Sequence, residues 1–213
     1  SIGDDGRIYV GEVYGDSAAA DMQRVQIRET ILSHLQKEEA LFRRGIKCLS
    51  LFFIDQVAKY RDLSGNGETV GYGKIFEEEY EAIVSDRLKH PTQDDILDSS
   101  YAQYLGRFDT HSVHSGYFSV DKKGNAVESK AEKKAEREDG IGINDDDAKR
   151  AYDLILRDKE RLLSFDEPVR FIFSHSALRE GWDNPNIFQI CTLKESGSET
   201  SKRQEVGRGM RLA

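Results

Sequence analysis

The sequence has little that would anchor it in a membrane or cross-link it in an oxidising compartment. No apolar run approaches the roughly 20 residues that a membrane-spanning helix needs. Only two cysteines occur, Cys48 and Cys191, and each lies within a strand-like apolar run. We therefore expect both to be small buried side chains rather than a disulfide, and we expect a cytoplasmic protein with no signal peptide and no membrane contact.

Bulk positive charge is missing as well. The 213 residues include 31 Lys and Arg against 39 Asp and Glu, a net charge of −8, which argues against binding nucleic acid by bulk electrostatics. The acids concentrate in residues 62–110, where eleven stand against four bases. From Pro168 onward, seven bases stand against five acids, so the C-terminal third is where a local nucleic-acid contact can occur.

A phosphate-binding loop is also absent, although residues 65–74 (GNGETVGYGK) superficially suggest one. A Walker A loop needs a glycine five residues before its Gly-Lys pair, and Glu68 stands there. Ile75 occupies the position of the Ser or Thr that would contact magnesium. We interpret residues 65–74 as a flexible loop, so any ATP-driven function needs this element from another lobe.

Hydrophobic periodicity predicts the first elements. A helix should run from about Asp21 to about Arg44 and end at Gly45, because its apolar residues follow the helical period: Ile27, Ile31, Leu35 and Phe42. Residues 46–54 (IKCLSLFFI) form a near-continuous apolar run, as expected of a parallel strand covered on both faces. Asp55 and Gln56 then fall at its carboxyl end.

The remaining segments alternate between helical and strand-like patterns, which predicts an α/β fold. We expect helices over 75–87, which is acidic and amphipathic, over 145–163, and over 201–212. We expect strands over 7–14, over 113–120 as one arm of a hairpin, and over 169–173 and 187–193. Residues 128–139 mix charges densely without aromatic residues, and we expect them to be mobile or a solvated helix.

No metal site is predicted. His111 and His114 have a suitable spacing, but no cysteine or third histidine accompanies them, so we interpret them as surface or hairpin histidines. The triplet Glu128-Ser129-Lys130 matches half of a nuclease motif and arises easily by chance in a run of alternating charge. Trp182 has two open interpretations, stacking on a base or packing beneath its turn.

Two short motifs in the last third carry a resemblance to a known family. ALREGWDNP resembles motif V of superfamily 2 helicases, and QEVGRGMR matches the motif VI pattern Q-x-x-G-R-x-x-R. The sequence SHSALREGWDNPNIFQICTLKESGSE, followed by KRQEVGRGMRL, is similar to that of the Res subunit of type III restriction enzymes. The helix, strand and polar end over residues 26–61 resemble the motif IV region of the same lobe.

The resemblance implies the second RecA-like lobe of the helicase domain, a parallel sheet of the P-loop NTPase type flanked by helices. Residues 1–61 would be its first part and 145–213 its remainder, with 62–144 an inserted, charged, partly mobile helix and hairpin region. In open α/β sheets, ligands lie at the carboxyl ends of the strands, where motifs V and VI would begin.

Particular residues take roles from the match to these motifs. The resemblance implies that Arg208 and Arg211, three residues apart on one helical face, assist catalysis at phosphate. The resemblance also implies four residues that contact ATP: Gly181, Asp183, Gln204 and Gly207. It implies three that contact the nucleic-acid backbone: Ser174, His175 and Ser176.

The implied function is ATP hydrolysis that drives translocation and site-specific cleavage of double-stranded DNA. ATP and Mg²⁺ would be bound mainly by a first RecA-like lobe, and a nuclease domain and a modification methyltransferase subunit would be further partners. The chain alone should hydrolyse nothing. Two alternatives stay open: the lobe of another superfamily 2 DNA translocase, and a catalytically inactive binding module.

Overall fold

The computed structural model describes residues 15–62, 68–118, 153–174 and 186–193. Its elements are, in chain order, α1 (Gly15–Phe42), β1 (Leu49–Phe53), a 3-10 turn (Val57–Lys59), α2 (Gly71–Lys89), α3 (Gln93–Leu97), α4 (Ser100–Leu105), β2 (His114–Tyr117), a π-helical turn (Asp153–Arg157), α5 (Lys159–Leu162), β3 (Phe171–Ser174) and β4 (Ile187–Thr192). Within these ranges, no helix is both long and apolar enough to cross a membrane.

The four described strands form one sheet in the order β2-β3-β1-β4, and every neighbouring pair is parallel. All residues of β1 and β3 are buried, as is typical of parallel strands covered on both faces. The predicted α/β fold with a RecA-like parallel sheet flanked by helices is therefore confirmed, and so are the strands expected near residues 46–54, 169–173 and 187–193.

The two faces of the sheet bury different side chains, because successive residues of a strand point to opposite sides. Phe52, Phe171 and Phe173 face α1, α2 and α4, and the rings of Phe52 and Phe173 stack at 4.6 Å. Leu51 and Ile172 face the chain around α5. The alternation along β1 and β3 therefore produces two separate apolar layers.

Helix α1 follows the predicted pattern closely. Ile27, Ile31 and Leu35 are all buried, and Phe42 packs on the rings of two tyrosines of α4. Gly45 follows with a φ of 70°, in the left-handed region that glycine adopts most readily after a helix. The helix begins at Gly15, earlier than the predicted start near Asp21.

The interpretation of residues 65–74 as a flexible loop is wrong for its second half, because Gly71 to Lys74 form the first turn of α2. Gly71 has a φ of 46°, and a Cβ at this position would collide with the carbonyl oxygen of Lys59. Glycine is therefore required where α2 begins against the 3-10 turn. Residues 63–67 lie outside the described residues.

The hairpin predicted with residues 113–120 as one arm stays a prediction, because its second arm would lie outside the described residues. Strand β2 has a parallel partner within them. It pairs in parallel with β3, with His114 opposite Phe171 and Tyr117 opposite Ser174. A parallel pair needs a long crossover rather than a tight turn. Part of the predicted insertion thus supplies a strand of the sheet, and the division at residues 62 and 144 stays a prediction.

The helix predicted over residues 145–163 is interrupted in its described part. A π-helical turn ends at Arg157, and Asp158 then caps α5 by accepting a hydrogen bond from the backbone N–H of Arg161. An Asp side chain that binds a backbone N–H competes with helix continuation. Ile155 and Leu162 are nevertheless both buried.

Several predicted features lie outside the described residues. They are the strand over 7–14, the charged segment over 128–139 with its Glu128-Ser129-Lys130 triplet, Trp182, and the helix over 201–212.

Candidate functional site

The carboxyl ends of β1, β3 and β4 lie side by side at one edge of the sheet. The backbone N–H of Ile54 donates to the carbonyl of Ser174 at 2.9 Å, and that of Leu193 donates to the carbonyl of Phe53 at 2.8 Å. Ser174 and Leu193 are the last described residues before the segments expected to hold motifs V and VI. This is the edge at which open α/β sheets bind their ligands.

Among the predicted site residues, Ser174 alone falls within the described ranges. It is the last residue of β3 and is fully buried. Its contact with nucleic acid stays a prediction. The other predicted site residues lie outside the described residues, and their roles stay predictions: His175, Ser176, Gly181, Asp183, Gln204, Gly207, Arg208 and Arg211.

Three polar side chains form what we name the carboxyl-edge cluster: Asp55, Lys59 and Tyr72. Lys59 Nζ donates to Asp55 Oδ2 at 2.5 Å, and Tyr72 Oη lies 3.2 Å from Asp55 Oδ1. Tyr72 Oη also lies 3.4 Å from the carbonyl oxygen of Leu193. The cluster thus joins the end of β1 to the end of β4, and sequence reasoning had identified only Asp55 in it.

The protonation states of this cluster suit binding rather than proton transfer. The hydrogen bond to Asp55 raises the pKa of Lys59. Burial raises the pKa of Tyr72 to about 12, and the charge of Asp55 adds to the effect. Lys59 is therefore a cation and Tyr72 a hydroxyl donor near neutral pH. Such groups can orient a polar or anionic ligand, whereas a general base needs a pKa near the working pH.

A second polar group, which we name the buried ionic cluster, lies near the amino end of β3. Its core is Glu38 on α1 and Arg170, which directly precedes β3. Arg170 Nη1 donates to Glu38 Oε2 at 2.7 Å, and neither side chain is exposed. Arg170 Nη2 donates to Tyr80 Oη, and Tyr101 Oη donates to Glu38 Oε2 at 3.1 Å. His34 Nε2 lies 3.3 Å from Glu38 Oε1 and completes the cluster.

The charges of the buried ionic cluster are compensated by partners within the cluster, so we interpret it as structural. Burial alone would raise the pKa of Glu38, but the charge of Arg170, the contact with His34 and the hydrogen bond from Tyr101 together outweigh burial and lower that pKa to about 2. Burial lowers the pKa of His34, so its ring is neutral. Sequence reasoning missed Glu38, although it lies three residues after Leu35 on the apolar face of α1, where a charged residue signals a buried partner.

The two histidines considered as metal ligands serve a third polar group. His114 is buried rather than a surface residue, and its ring nitrogens lie 2.8 Å from Tyr60 Oη and 3.1 Å from Glu77 Oε1. His111 is exposed, and its Nδ1 lies 2.9 Å from the same Glu77 oxygen. In the part of the chain that the structure describes, no three His, Cys, Asp or Glu side chains are arranged to hold a metal ion.

The chain is similar to three known proteins of the same kind. No protein-family model matches the chain. The Res subunit of the type III restriction-modification enzyme EcoPI of Escherichia phage P1 is 45% identical over 201 residues, which are 93% of this chain. The EcoP15I Res subunit of Escherichia coli matches equally, at 45% over 201 residues. The StyLTI Res subunit of Salmonella typhimurium is 36% identical over 211 residues. The chain spans 18 to 19% of the length of these relatives.

Proposed function

We propose that this chain, which belongs to the family of type III restriction-modification Res subunits, supplies one lobe of an ATP-dependent DNA translocase. In the complete polypeptide, ATP hydrolysis would drive site-specific cleavage of double-stranded DNA in the cytoplasm. The observation that carries the proposal is the 45% identity across 93% of the chain. A parallel sheet in which β3 and β4 flank β1 and end at the same edge, each before one of the two motif segments, supports it.

The chemical part of the proposal is assistance to phosphoryl transfer. Arg208 and Arg211 would direct positive charge at the terminal phosphate of ATP, where negative charge develops in the transition state. An arginine in this role is worth roughly 10³–10⁵ in rate. Gln204 would be their polar partner, and Gly207 would let the backbone approach the phosphates closely.

The described part of the carboxyl edge offers a ligand one cation and one hydroxyl donor, Lys59 and Tyr72. The one carboxylate of the carboxyl-edge cluster, Asp55, is already ion-paired with Lys59 at 2.5 Å. The described ranges also hold no group of side chains suited to a metal. Since residues 65–74 do not match a Walker A loop, we propose that Mg²⁺ and most contacts with ATP belong to the first RecA-like lobe of the polypeptide.

The DNA-facing part of the proposal begins where β3 ends. His175 and Ser176 follow the buried Ser174 directly, and they would contact the phosphate backbone of DNA. Gly181 and Asp183 in motif V would connect this track to the nucleotide. The modification methyltransferase subunit would supply recognition of the DNA sequence, and a nuclease domain of the same polypeptide would cut it.

ATPase measurements on the separated and complete protein test the proposal. The purified 213-residue chain should show negligible turnover, because it holds only half of a cleft. The full-length polypeptide should hydrolyse ATP, and the Arg208→Ala/Arg211→Ala variant of it should not. Turnover by the isolated chain that disappears in the same double variant would show that the site is complete here and that the proposal is wrong.

A further inference from the structure

Both backbone polar groups of Leu193, the residue that follows β4, have partners. Its N–H donates to the carbonyl oxygen of Phe53 at 2.8 Å, which continues the pairing with β1. Its carbonyl oxygen lies 3.4 Å from the hydroxyl oxygen of Tyr72, in the first turn of α2. Helix α2 therefore contacts the end of β4 at the residue from which the chain continues toward the motif VI segment.

The neighbours of the Tyr72 hydroxyl direct its hydrogen. Gln23 Nε2 on α1 donates to Tyr72 Oη at 3.2 Å, so the hydroxyl hydrogen must point to an acceptor on another side. Two acceptors are within reach, Asp55 Oδ1 at 3.2 Å and the carbonyl oxygen of Leu193. Burial raises the pKa of Tyr72 to about 12, so the hydroxyl keeps this hydrogen near neutral pH.

Asp55 is itself held in place from two sides. Lys59 Nζ donates to Asp55 Oδ2 at 2.5 Å, which leaves Oδ1 to accept from Tyr72. The preceding residue, Ile54, donates its backbone N–H to the carbonyl oxygen of Ser174 at 2.9 Å. The short stretch of chain after β1 therefore contacts the end of β3 through its backbone, and Tyr72 connects the same stretch to the end of β4.

A second tyrosine makes the same kinds of contact away from the carboxyl edge. Tyr101 Oη lies 3.1 Å from Glu38 Oε2 and 3.2 Å from the carbonyl oxygen of Leu35. Each hydroxyl thus faces one carboxylate oxygen and one backbone carbonyl oxygen, and both tyrosines are buried. Tyr101 belongs to the buried ionic cluster, whereas Tyr72 lies where open α/β sheets bind their ligands. An effect found only at Tyr72 therefore reports its position, and not merely the loss of a buried hydroxyl.

We propose that Tyr72 is a positioning residue for ATP hydrolysis, because its hydroxyl fixes the end of β4 and thereby the start of the segment that carries the motif VI arginines. Tyr72 contacts neither ATP nor DNA in this role. A displacement of about 1 Å at a reacting centre can lower a rate about 100-fold, so a small shift of this strand end is measurable as a loss of rate. The inference rests on the proposed function, because it requires the motif VI arginines to act on ATP.

ATPase assays of the full-length polypeptide carrying Tyr72→Phe test this role, with Tyr101→Phe as the matched control. Tyr72→Phe should lower kcat about tenfold and change KM for ATP less than about twofold, because the arginines are misaligned while the ATP contacts remain. Tyr101→Phe should lower the melting temperature at least as much as Tyr72→Phe and leave kcat within about twofold. An unchanged kcat in Tyr72→Phe, an equal loss in Tyr101→Phe, or a rise in KM alone would overturn the proposal.

A double-mutant cycle with Arg211→Ala shows whether Tyr72 acts through motif VI. In the Arg211→Ala background, Tyr72→Phe should lower the remaining kcat less than about twofold, because the main group that it positions is gone. A further loss of about tenfold would overturn the proposal. If Arg211→Ala lowers kcat about 100-fold while Tyr72→Phe does not lower it, this inference is wrong and the proposed function stands. If Arg211→Ala leaves kcat unchanged, the proposed function itself fails.

Gln23→Met is a second variant that acts on the same hydroxyl, and it keeps the test decisive if Tyr72→Phe does not fold. It retains the length of the side chain and removes the donor that directs the Tyr72 hydrogen. We expect kcat to fall about threefold with KM for ATP unchanged, since one neutral hydrogen bond is lost. A kcat equal to that of the wild type would contradict the role of this hydroxyl.

Discussion

The buried ionic cluster and the carboxyl-edge cluster contain the same kinds of side chain in different surroundings. The buried ionic cluster joins Glu38, Arg170 and Tyr101, and the carboxyl-edge cluster joins Asp55, Lys59 and Tyr72. The Glu38 and Arg170 side chains are inaccessible to solvent, whereas the Asp55 and Lys59 side chains are 25% and 41% exposed. Each is an acid, a base and a tyrosine within hydrogen-bonding distance.

Position along the strands accounts for the difference. Arg170 directly precedes β3, where α1, α2 and α4 cover the sheet, and Asp55 follows β1 at the carboxyl edge. Removing one partner of a buried ion pair costs about 3–5 kcal/mol, whereas an exposed pair is worth about 0–1 kcal/mol. We infer that the buried ionic cluster stabilises the lobe, whereas the carboxyl-edge cluster is available to a ligand.

The largest effect is expected from breaking the buried pair. Arg170→Met should lower the free energy of unfolding by about 3–5 kcal/mol, because Glu38 is left charged and unpaired in the core. Urea denaturation of the chain measures this. Adding Glu38→Gln to the same variant should recover part of the loss, and a loss below about 1 kcal/mol would show that the pair is not structural.

Acid should weaken the buried cluster next. The pKa of Glu38 is lowered from 4.5 to about 2, because Arg170, His34 and Tyr101 together outweigh the effect of burial. Its contribution, roughly 3 kcal/mol, is therefore present above pH 4.5 and lost as the pH falls toward 2. Melting temperature measured across this window should fall more steeply for the wild type than for Glu38→Gln. Parallel curves would contradict the assignment.

The backbone beside the carboxyl-edge cluster should have an intermediate effect. Gly71→Ala places a Cβ against the Lys59 carbonyl and forces a φ of 46° on an alanine, which should cost about 1–3 kcal/mol. Gly106→Ala is the matched control, since its φ of −85° suits alanine. Equal stability of the two variants in urea denaturation would show that α2 does not need its glycine start.

The smallest effect is expected at the exposed pair. Lys59→Ala should change the free energy of unfolding by less than about 1 kcal/mol, because water screens an ion pair with 41% of the lysine side chain exposed. The same urea experiment measures it. If the free energy of unfolding fell by more than about 2 kcal/mol, the carboxyl-edge cluster would be structural as well, and it would not differ in this respect from the buried ionic cluster.

The pattern of apolar residues along the sequence predicted the helices and strands whose position depends on burying apolar side chains. Ile27, Ile31 and Leu35 repeat with the helical period, and the runs containing β1, β3 and β4 are apolar enough to identify. Strand β2 was recognised as extended, but its parallel pairing with β3 was not predicted. Its sequence, HSGY, says nothing about a partner strand more than 50 residues later, and pairing is decided by the assembled sheet.

The candidate site was predictable to a smaller extent. Asp55 was identified because it follows an apolar strand, and Ser174 because it precedes motif V. Tyr72 was missed, since its contact with Asp55 depends on how α2 starts at Gly71. Lys59 was missed although it lies only four residues after Asp55. The Glu38–Arg170 pair joins residues 132 apart, a distance over which local periodicity carries no information.

The most direct test of the account is the ATPase activity of the full-length polypeptide carrying Arg211→Ala. We predict that kcat falls about 100-fold or more while nucleotide affinity changes much less, because the arginine acts mainly on the transition state. Arg211→Lys should rescue poorly, since an ammonium cannot make the forked contact with phosphate. Near wild-type ATPase together with lost DNA affinity would mean that this helix faces the nucleic acid and that the assignment of motif VI is wrong.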